Sequence, residues 1–310
     1  MFSTTVIATV ARPTLSRAVK SVLSQSFKAD DFEVIVVNDS GKRLPEEDWQ
    51  DDERVQVVNT YRRERIVARN TGAALSRGKY LHFLDDDDWL MPGAMNTMYQ
   101  LANGSNAHWF YGSSQLVDRQ GCPLIRLRHE MNGNCFVQVM AGEWIPLQSS
   151  FIDSKAFFTI GGFTHNLLAT QDVDLCRRIA LNGKLCGTTE LVSCIGMGTE
   201  GSTTNYQRGP ELSRWAREYI LNDSKVWSRL WGSACSTEWQ GRIPRIYLTS
   251  MIWNLRCKKL LPALSRAIYG SAGLLLAGKS LLCLDFWKSL FHSYSSPTFQ
   301  RGFEEAGFHD

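Results

Sequence analysis

The chain has 310 residues and a net charge of +3, with 44% hydrophobic and 21% charged residues. This length buries a large core and allows either one elaborated domain or two smaller ones. Its eight cysteines show no C-x-x-C or Cys/His ligand spacing, which argues against a disulfide framework or a zinc site. The segment after Met1 lacks the regions of a secretory signal, so we expect a cytoplasmic location.

Charge is divided unevenly along the chain. Residues 206–310 hold fourteen Lys and Arg against eight Asp and Glu, a net charge of +6, so residues 1–205 carry −3. Nucleic-acid binding predicts basic residues beside the most informative motif, but that motif lies in the acidic part, and we expect no nucleic-acid partner. The basic C-terminal third points instead to the inner surface of a membrane.

The first hundred residues alternate apolar strand patterns with helical patterns, which predicts βαβ units and a mostly parallel sheet. The patterns predict strands at 4–10, 33–37, 54–59 and 79–84 and helices at 14–27 and 66–76.

From about 92 to 205 the pattern is less regular. It predicts a helix near 93–103, a hairpin over 108–128 and a short helix from 171 to 179. Beyond Pro210 the chain becomes helical and rich in tryptophan, so we place a boundary near 205. The apolar stretch 267–278 is too short to span a membrane and is predicted to be a core helix.

Four consecutive carboxylates, Asp85, Asp86, Asp87 and Asp88, follow the strand predicted at 79–84. Unit charges at 4 Å repel by about 4 kcal/mol at an effective dielectric near 20, so such a cluster ionises most easily around a cation. Side chains alternate on an extended segment, so we expect Asp85 and Asp87 on one face and Asp86 and Asp88 on the other. Asp85 and Asp87 thus predict a Mg²⁺ or Mn²⁺ site that grips a diphosphate.

An acidic turn that binds nothing and two other types of D-x-D site are alternatives to this metal site. A calcium-binding EF loop starting at Asp85 needs Gly at its sixth position and Glu at its twelfth, but Leu90 and Asn96 occupy those places, which excludes it. A phosphohydrolase with Asp85 as nucleophile normally has Thr or Val where this chain has Trp89. That alternative is weakened but stays open.

Five motifs in order resemble the inverting glycosyltransferases of family 2, over about residues 4–200. The segment Val6–Pro13 is similar to the strand and turn that hold the nucleotide in that family. The other four are V-V-N-D-S-G at Val36–Gly41, A-R-N-x-G at Ala68–Gly72, F-L-D-x-D-D-W at Phe83–Trp89, and G-G-F at Gly161–Phe163 followed by Q-D-V-D-L at Gln171–Leu175.

The resemblance implies an α/β protein with the GT-A fold, a Rossmann-like, mostly parallel central sheet flanked by helices. Residues 1–205 would form this domain, with a nucleotide-sugar half at about 1–100 and an acceptor half at about 101–205, and 206–310 a helical, basic extension. The implied activity is the metal-dependent, inverting transfer of a sugar from a nucleotide-sugar to a hydroxyl of a glycan or lipid-linked acceptor. A UDP-sugar is the first candidate donor. Besides the phosphohydrolase, a non-catalytic module that binds a nucleotide-sugar is a second alternative function. The chain could also form a homo-oligomer.

The resemblance also assigns residues. Asp172 would be the general base, and Asp87 with Asp85 would hold Mn²⁺ or Mg²⁺. Asn38 and Gln171 replace acids of the family pattern, and residues 196–201 lack the downstream histidine of many relatives, which leaves a third metal ligand unassigned. Contacts to the nucleotide-sugar would come from Thr9, Arg12, Asp39, Arg69, Asp85 and Asp86.

Two of these assignments and one surface have competing explanations. Asp172 could instead be a favourable charge in the first turn of a helix, worth about 0.3 to 1 kcal/mol. Arg69 could be a solvated helix arginine. The apolar residues Leu248, Met251, Ile252 and Leu255, beside Arg256, Lys258 and Lys259, predict an amphipathic face that lies on a membrane or packs against protein.

Overall fold

The computed structural model describes most of the chain. The described residues are 1–27, 31–61, 64–143, 145–165, 167, 170–197, 209–231, 236–291, 298, 301–302 and 305–306.

A nine-stranded sheet forms the centre of the protein. Its strands run in the order β3-β2-β1-β4-β8-β6-β9-β5, and β7 pairs with β6 beside this path. The strands are β1 (Ser3–Thr9), β2 (Phe32–Asn38), β3 (Val55–Asn59), β4 (Tyr80–Asp85), β5 (Trp89–Leu90), β6 (Trp109–Val117), β7 (Pro123–Leu127), β8 (Ser150–Asp153) and β9 (Leu185–Gly196).

The sheet has a parallel half and a mixed half. Strands β3, β2, β1 and β4 are parallel neighbours, as the alternation of strand and helix patterns predicts. From β8 onward the pairing is mixed, because β8 runs antiparallel to both β4 and β6 while β9 runs parallel to β6. The prediction of parallel pairing therefore holds for the half of the sheet formed by β1 to β4. The predicted hairpin is confirmed as β6 and β7.

Helices cover both faces of the sheet. Neighbouring residues of β1 point to opposite sides, so that Val6 belongs to one buried cluster and Ile7 to the other. The Val6 side is covered by α2, α4 and α6, and the Ile7 side by α1 and α3. These helices are α1 (Leu15–Leu23), α2 (Arg65–Leu75), α3 (Ala94–Asn103), α4 (Phe136–Ala141), α5 (Ser154–Thr159) and α6 (Gln171–Asn182).

The C-terminal region is helical, as predicted, and its first helices join the core of the sheet domain. Ile220, Val226 and Trp239 pack in the same buried cluster as α4 and α6. The Arg242 Nε donates to the Ala141 carbonyl at the end of α4, 2.8 Å away. The predicted boundary near 205 falls outside the described residues. The helices are α7 (Gly209–Leu221), α8 (Ser224–Trp231), α9 (Ser236–Arg256), α10 (Leu260–Leu276) and α11 (Leu284–Phe291).

The stretch 267–278, predicted as a core helix, lies at the surface in α10 and the turn after it. Ala263 and Gly270 face inward, whereas Ile268 and Leu275 are 61% and 83% exposed. The prediction was wrong because apolar composition alone does not show which face of a helix has a partner. None of the described helices is long and apolar enough to cross a membrane.

Candidate active site

The carboxyl ends of three parallel strands meet at one edge of the sheet. In the strand register Thr9 pairs with Asn38, and Ala8 pairs with Asp85. This edge is where open α/β sheets bind ligands. The residues predicted from the first, second and fourth strands are therefore brought together by parallel pairing.

The acidic run turns sharply at its first residue. Strand β4 ends at Asp85, and the Asp88 amide donates to the Asp85 carbonyl at 3.1 Å. In consequence Asp88 joins Asp85 and Asp87, while the carboxylate of Asp86 is buried beside Thr9. The expectation that Asp86 and Asp88 share a face was wrong, because alternation holds only while the backbone stays extended.

Asp85, Asp87 and Asp88 form a carboxylate cluster that suits a divalent cation. One oxygen from each lies within 4.8 Å of the others. Burial, and then the charges of Asp85 and Asp87, raises the pKa of Asp88 well above its usual value. Hard oxygen ligands are those that Mg²⁺ and Mn²⁺ prefer. The donor set thus fits the expected ion, and Asp88 is a candidate for the unassigned third ligand.

Asp85 is held by a guanidinium and an amide. Arg69 of α2 donates to its Oδ1, and Gln148 Nε2 donates to its Oδ2 at 3.1 Å. Burial alone would raise the pKa of Asp85, but the charges of Arg69 and Arg65 outweigh it and lower the pKa to about 2. Asp85 therefore stays ionised, and Arg69 is a buried ion-pair partner and not a solvated helix arginine.

Asp86 fixes the turn after β1. Its Oδ2 accepts a hydrogen bond from Thr9 Oγ1 at 2.6 Å, and its Oδ1 accepts one from Arg12. Burial raises the pKa of Asp86, although Thr9 and Arg12 both oppose this. The Arg12 Nη1 lies 4.0 Å from Asp87 Oδ2, so the guanidinium is held beside the carboxylate cluster. Asp86 therefore affects a ligand mainly by positioning Arg12, and less by contacting the ligand itself.

The loop after β2 depends on an amide at position 38. Asn38 Nδ2 donates to the Lys42 carbonyl at 2.7 Å and to Asn59 Oδ1 at 2.8 Å. A carboxylate could not make these bonds, because it has no N–H donor. Asn38, which replaces an acid of the family pattern, therefore stabilises the loop after β2 through its side-chain amide. Next to it the buried Asp39 accepts a hydrogen bond from Thr60 Oγ1 at 2.7 Å.

Two of the motifs contact each other directly. Asn70 of A-R-N-x-G donates to the Phe163 carbonyl at 2.9 Å, and its Oδ1 accepts from the Phe163 amide at 3.0 Å. Gly162 has a φ of +68°, and a Cβ there would lie 2.9 Å from Asn70 Oδ1. A Cβ on Gly72 would lie 2.4 Å from Val6 Cγ1, so glycine allows α2 to approach β1.

Asp172 opens α6 and is partly exposed. Burial is the main influence that raises the pKa of Asp172; the charge of Arg69 opposes it and that of Asp85 adds to it. Both residues of the Arg69–Asp85 pair thus lie within electrostatic reach of Asp172. A carboxylate with a raised pKa is a stronger base than an ordinary aspartate.

The second acid of the same helix has a different role. Asp174 is fully buried and pairs with Arg178, whose Nη2 and Nε lie 2.7 and 2.9 Å from Oδ2. Thr164 Oγ1 donates to the same oxygen at 3.0 Å. Asp174 therefore ties the helix to the loop after G-G-F, which leaves Asp172 as the acid that can meet a ligand.

Two aromatic side chains near the carboxylates pack against neighbouring residues. The His82 ring is fully buried and stacks on Phe151 with centroids 4.8 Å apart. The guanidinium of Arg17 lies 3.9 Å from the centre of the Trp89 ring, and its Nη2 donates to the Asp87 carbonyl at 2.8 Å. Trp89 and Arg17 thus form a wall beside the cluster.

Four of these residues were not among the predicted site residues. Asp88 was placed on the wrong face, and Asn70 was quoted in a motif without a role. Gln148 and Arg17 have no local signal, because only the pairing of β8 with β4 and the packing of α1 bring them to the cluster.

The fold and the site together define the GT-A class, with acids at the end of the fourth strand and another acid on a helix of the mixed half. The chain belongs to the family described as Glycosyl transferase family 2, whose sequence model matches residues 4–163. The match covers β1 to the G-G-F loop and stops before Asp172. It confirms the resemblance and the fold class.

Individual relatives match shorter stretches. GalNAc(5)-diNAcBac-PP-undecaprenol beta-1,3-glucosyltransferase of Campylobacter jejuni is 34% identical over 113 residues, 34% of this chain and 35% of that protein. Poly(ribitol-phosphate) beta-N-acetylglucosaminyltransferase TarP of Staphylococcus aureus is 31% identical over 103 residues, 32% of each. These alignments span about a third of the relatives' length.

Solved structures match over most of the chain. The structure of S. aureus TarS residues 1-349 in complex with UDP-GlcNAc superposes with a TM-score of 0.62 at 14% identity, covering 88% of this chain and 92% of that one. At this identity the likeness supports the fold alone.

Proposed function

We propose that this chain is a metal-dependent inverting glycosyltransferase that moves a sugar from a nucleotide-sugar donor to a hydroxyl of a glycan or lipid-linked acceptor. One observation carries the proposal: Arg69 pairs with Asp85 of the carboxylate cluster and lies within electrostatic reach of Asp172. A site for an anionic leaving group is therefore electrostatically coupled to a candidate base.

The chain's own residues supply most of the chemistry. Asp172 accepts the proton of the acceptor hydroxyl as its oxygen bonds to the anomeric carbon, and the bond from that carbon to the diphosphate breaks. Attack from the side opposite the leaving group inverts the anomeric centre. Such a base contributes about 10² to 10⁴ in rate. A Mg²⁺ or Mn²⁺ ion held by Asp85, Asp87 and Asp88 would supply charge neutralisation worth several kcal/mol.

A UDP-sugar is the first candidate donor. The carboxylate of Asp39 at the end of β2 suits the imide N–H of a pyrimidine base. Thr9 and Arg12, which Asp86 positions, would hold the nucleotide and diphosphate beside it. A related protein of Escherichia coli is named UDP-Glc:alpha-D-GlcNAc-diphosphoundecaprenol beta-1,3-glucosyltransferase. Its name and that of the C. jejuni relative also support a lipid-linked acceptor.

The alternatives make different predictions. A phosphohydrolase with Asp85 as nucleophile would form an aspartyl-phosphate, which a glycosyltransferase does not form. A binding module would bind the donor without turnover.

The test is a thermal-shift panel of UDP-, GDP- and dTDP-sugars with and without Mn²⁺, followed by a transfer assay with polyprenyl-diphosphate-linked saccharides. A donor that binds only the native state must raise the melting temperature. We expect a UDP-sugar to do so in the presence of Mn²⁺ and the product to have the inverted anomer. A stabilising donor that no acceptor or water consumes would identify a binding module.

A further inference from the structure

Helix α10 presents a highly exposed apolar stripe. Leu261, Leu264, Ile268 and Leu275 are 82%, 61%, 61% and 83% exposed. Their spacing of three, four and seven residues puts them on one side of the helix, opposite Ala263 and Gly270. We call these four residues the α10 apolar face.

The exposed apolar surface continues beyond the helix. Leu282, Leu284 and Phe291 in the following turn and α11 are 89%, 68% and 73% exposed, and Trp287 is partly exposed beside them. Exposed apolar side chains in this number are uncommon in one segment of a soluble protein and indicate a contact site. Tryptophan is enriched where proteins meet the headgroup region of a bilayer.

Exposed basic residues stand at both ends of the α10 apolar face. Lys258 and Lys259 precede the helix and Lys279 follows it. The sequence contains no Asp or Glu from 256 to 284. An apolar stripe flanked by lysines without acids complements an anionic lipid surface, where lysines meet headgroups and leucines enter the acyl boundary.

We propose that the α10 apolar face lies in the surface of an anionic phospholipid bilayer. This differs from the amphipathic face expected on α9, where Leu248 packs against the buried α11 cluster and only Ile252 and Leu255 remain exposed. A cavity of about 230 Å³ lies beside this surface. Tyr269, Leu276 and other mostly apolar residues line it, together with Arg214, Arg217 and Glu218. A largely apolar hollow of this kind can hold an acyl or prenyl chain.

Vesicle co-sedimentation of the whole chain tests the proposal without donor or metal, so its result is independent of the transferase assay. The vesicles are phosphatidylcholine alone and about 3:1 phosphatidylcholine to phosphatidylglycerol, at low and high salt. The apolar variant carries Leu261→Gln, Ile268→Gln and Leu275→Gln. Its matched control carries Leu75→Gln, Tyr99→Gln and Phe158→Gln, which are exposed elsewhere on the molecule.

We expect the wild type to partition onto anionic vesicles about tenfold more than onto neutral ones, and less at high salt. The apolar variant should lose about tenfold or more of this binding, and the control should keep it. Lys258→Glu with Lys259→Glu and Lys279→Glu should remove the preference for anionic lipid.

Equal partitioning onto both vesicles, none on either, or an equal loss in the control would overturn the proposal. So would sedimentation velocity showing a wild-type dimer that the apolar variant dissociates, because a second copy would then cover this face.

Discussion

Arg69 and Asp85 form a buried ion pair that joins helix α2 to the carboxyl end of strand β4. Because Gln148 holds the other Asp85 oxygen, this carboxylate is fixed in position before any ligand arrives. Arg69 also lies 5.5 Å from the centre of the Phe163 ring, next to the loop that Asn70 clamps. The pair thus connects the carboxylate cluster with the loop that leads to Asp172.

Arg69→Met should destabilise the protein by about 3 kcal/mol, because it leaves the mostly buried Asp85 without its ion-pair partner. Urea unfolding at pH 7 measures this loss. Arg43→Met is the matched control, since the Arg43–Glu46 pair is 85% and 81% exposed and should contribute less than 1 kcal/mol. Equal losses in the two variants would mean that Asp85 does not depend on Arg69.

Asp87→Asn should abolish the stabilisation that Mn²⁺ gives the protein, and metal-dependent transfer with it, because one ligand of the cluster loses its charge. The melting temperature is measured against Mn²⁺ concentration without donor. Asp88→Asn should weaken the same response, whereas Asp48→Asn on an exposed side chain should not change it. A wild-type Mn²⁺ response and turnover in Asp87→Asn would remove Asp87 from the metal site.

Asp172→Asn should leave donor binding near normal and lower kcat by about 10² or more, because only the proton acceptor is lost. The pKa of Asp172 is raised, and a base works only when deprotonated, so wild-type kcat should fall with acid at a higher pH than an ordinary aspartate gives. The paired measurements are donor Kd and the pH profile of kcat. An unchanged kcat would return Asp172 to the role of a helix N-terminal charge.

The predictable part of the fold is the part that local periodicity determines. Strand β2 appears as the apolar run Val34–Val37, and α1 buries Leu15, Ala18, Val19 and Val22 at helical spacing. Strand β9, Leu185–Gly196, was not predicted, since its half-exposed residues include Thr and Glu without clean alternation. Its position depends on pairing with β6, about 76 residues earlier in the chain.

The same division holds for the site. Asp85, Asp87 and Asp172 were predicted as site residues because they stand in motifs with fixed spacing. Gln148 reaches Asp85 only through the antiparallel pairing of β8 with β4, which no local pattern encodes. Asp88 depends on the residue at which β4 ends, and strand ends are poorly determined by sequence patterns.

The buried His82 should make the protein lose stability in mild acid. Its Nδ1 lies 3.1 Å from Thr5 Oγ1 and its Nε2 3.1 Å from the Gln148 carbonyl. Burial lowers the pKa of His82 from 6.5 to about 4, although the Gln148 carbonyl opposes this shift. Between these two values the unfolded chain binds a proton that the folded chain does not, so the free energy of unfolding should fall by about 3 kcal/mol from pH 7 to pH 4.

Urea unfolding at several pH values, compared with His82→Gln, isolates this contribution. The variant cannot take up the proton in either state, so its stability should depend less on pH by about 3 kcal/mol over the same range, whatever its stability at pH 7. His165→Gln is the matched control, because the His165 side chain is 62% exposed, and its pH dependence should match that of the wild type. If His82→Gln and the wild type lose stability in parallel from pH 7 to pH 4, His82 takes up its proton equally in the folded and unfolded chain.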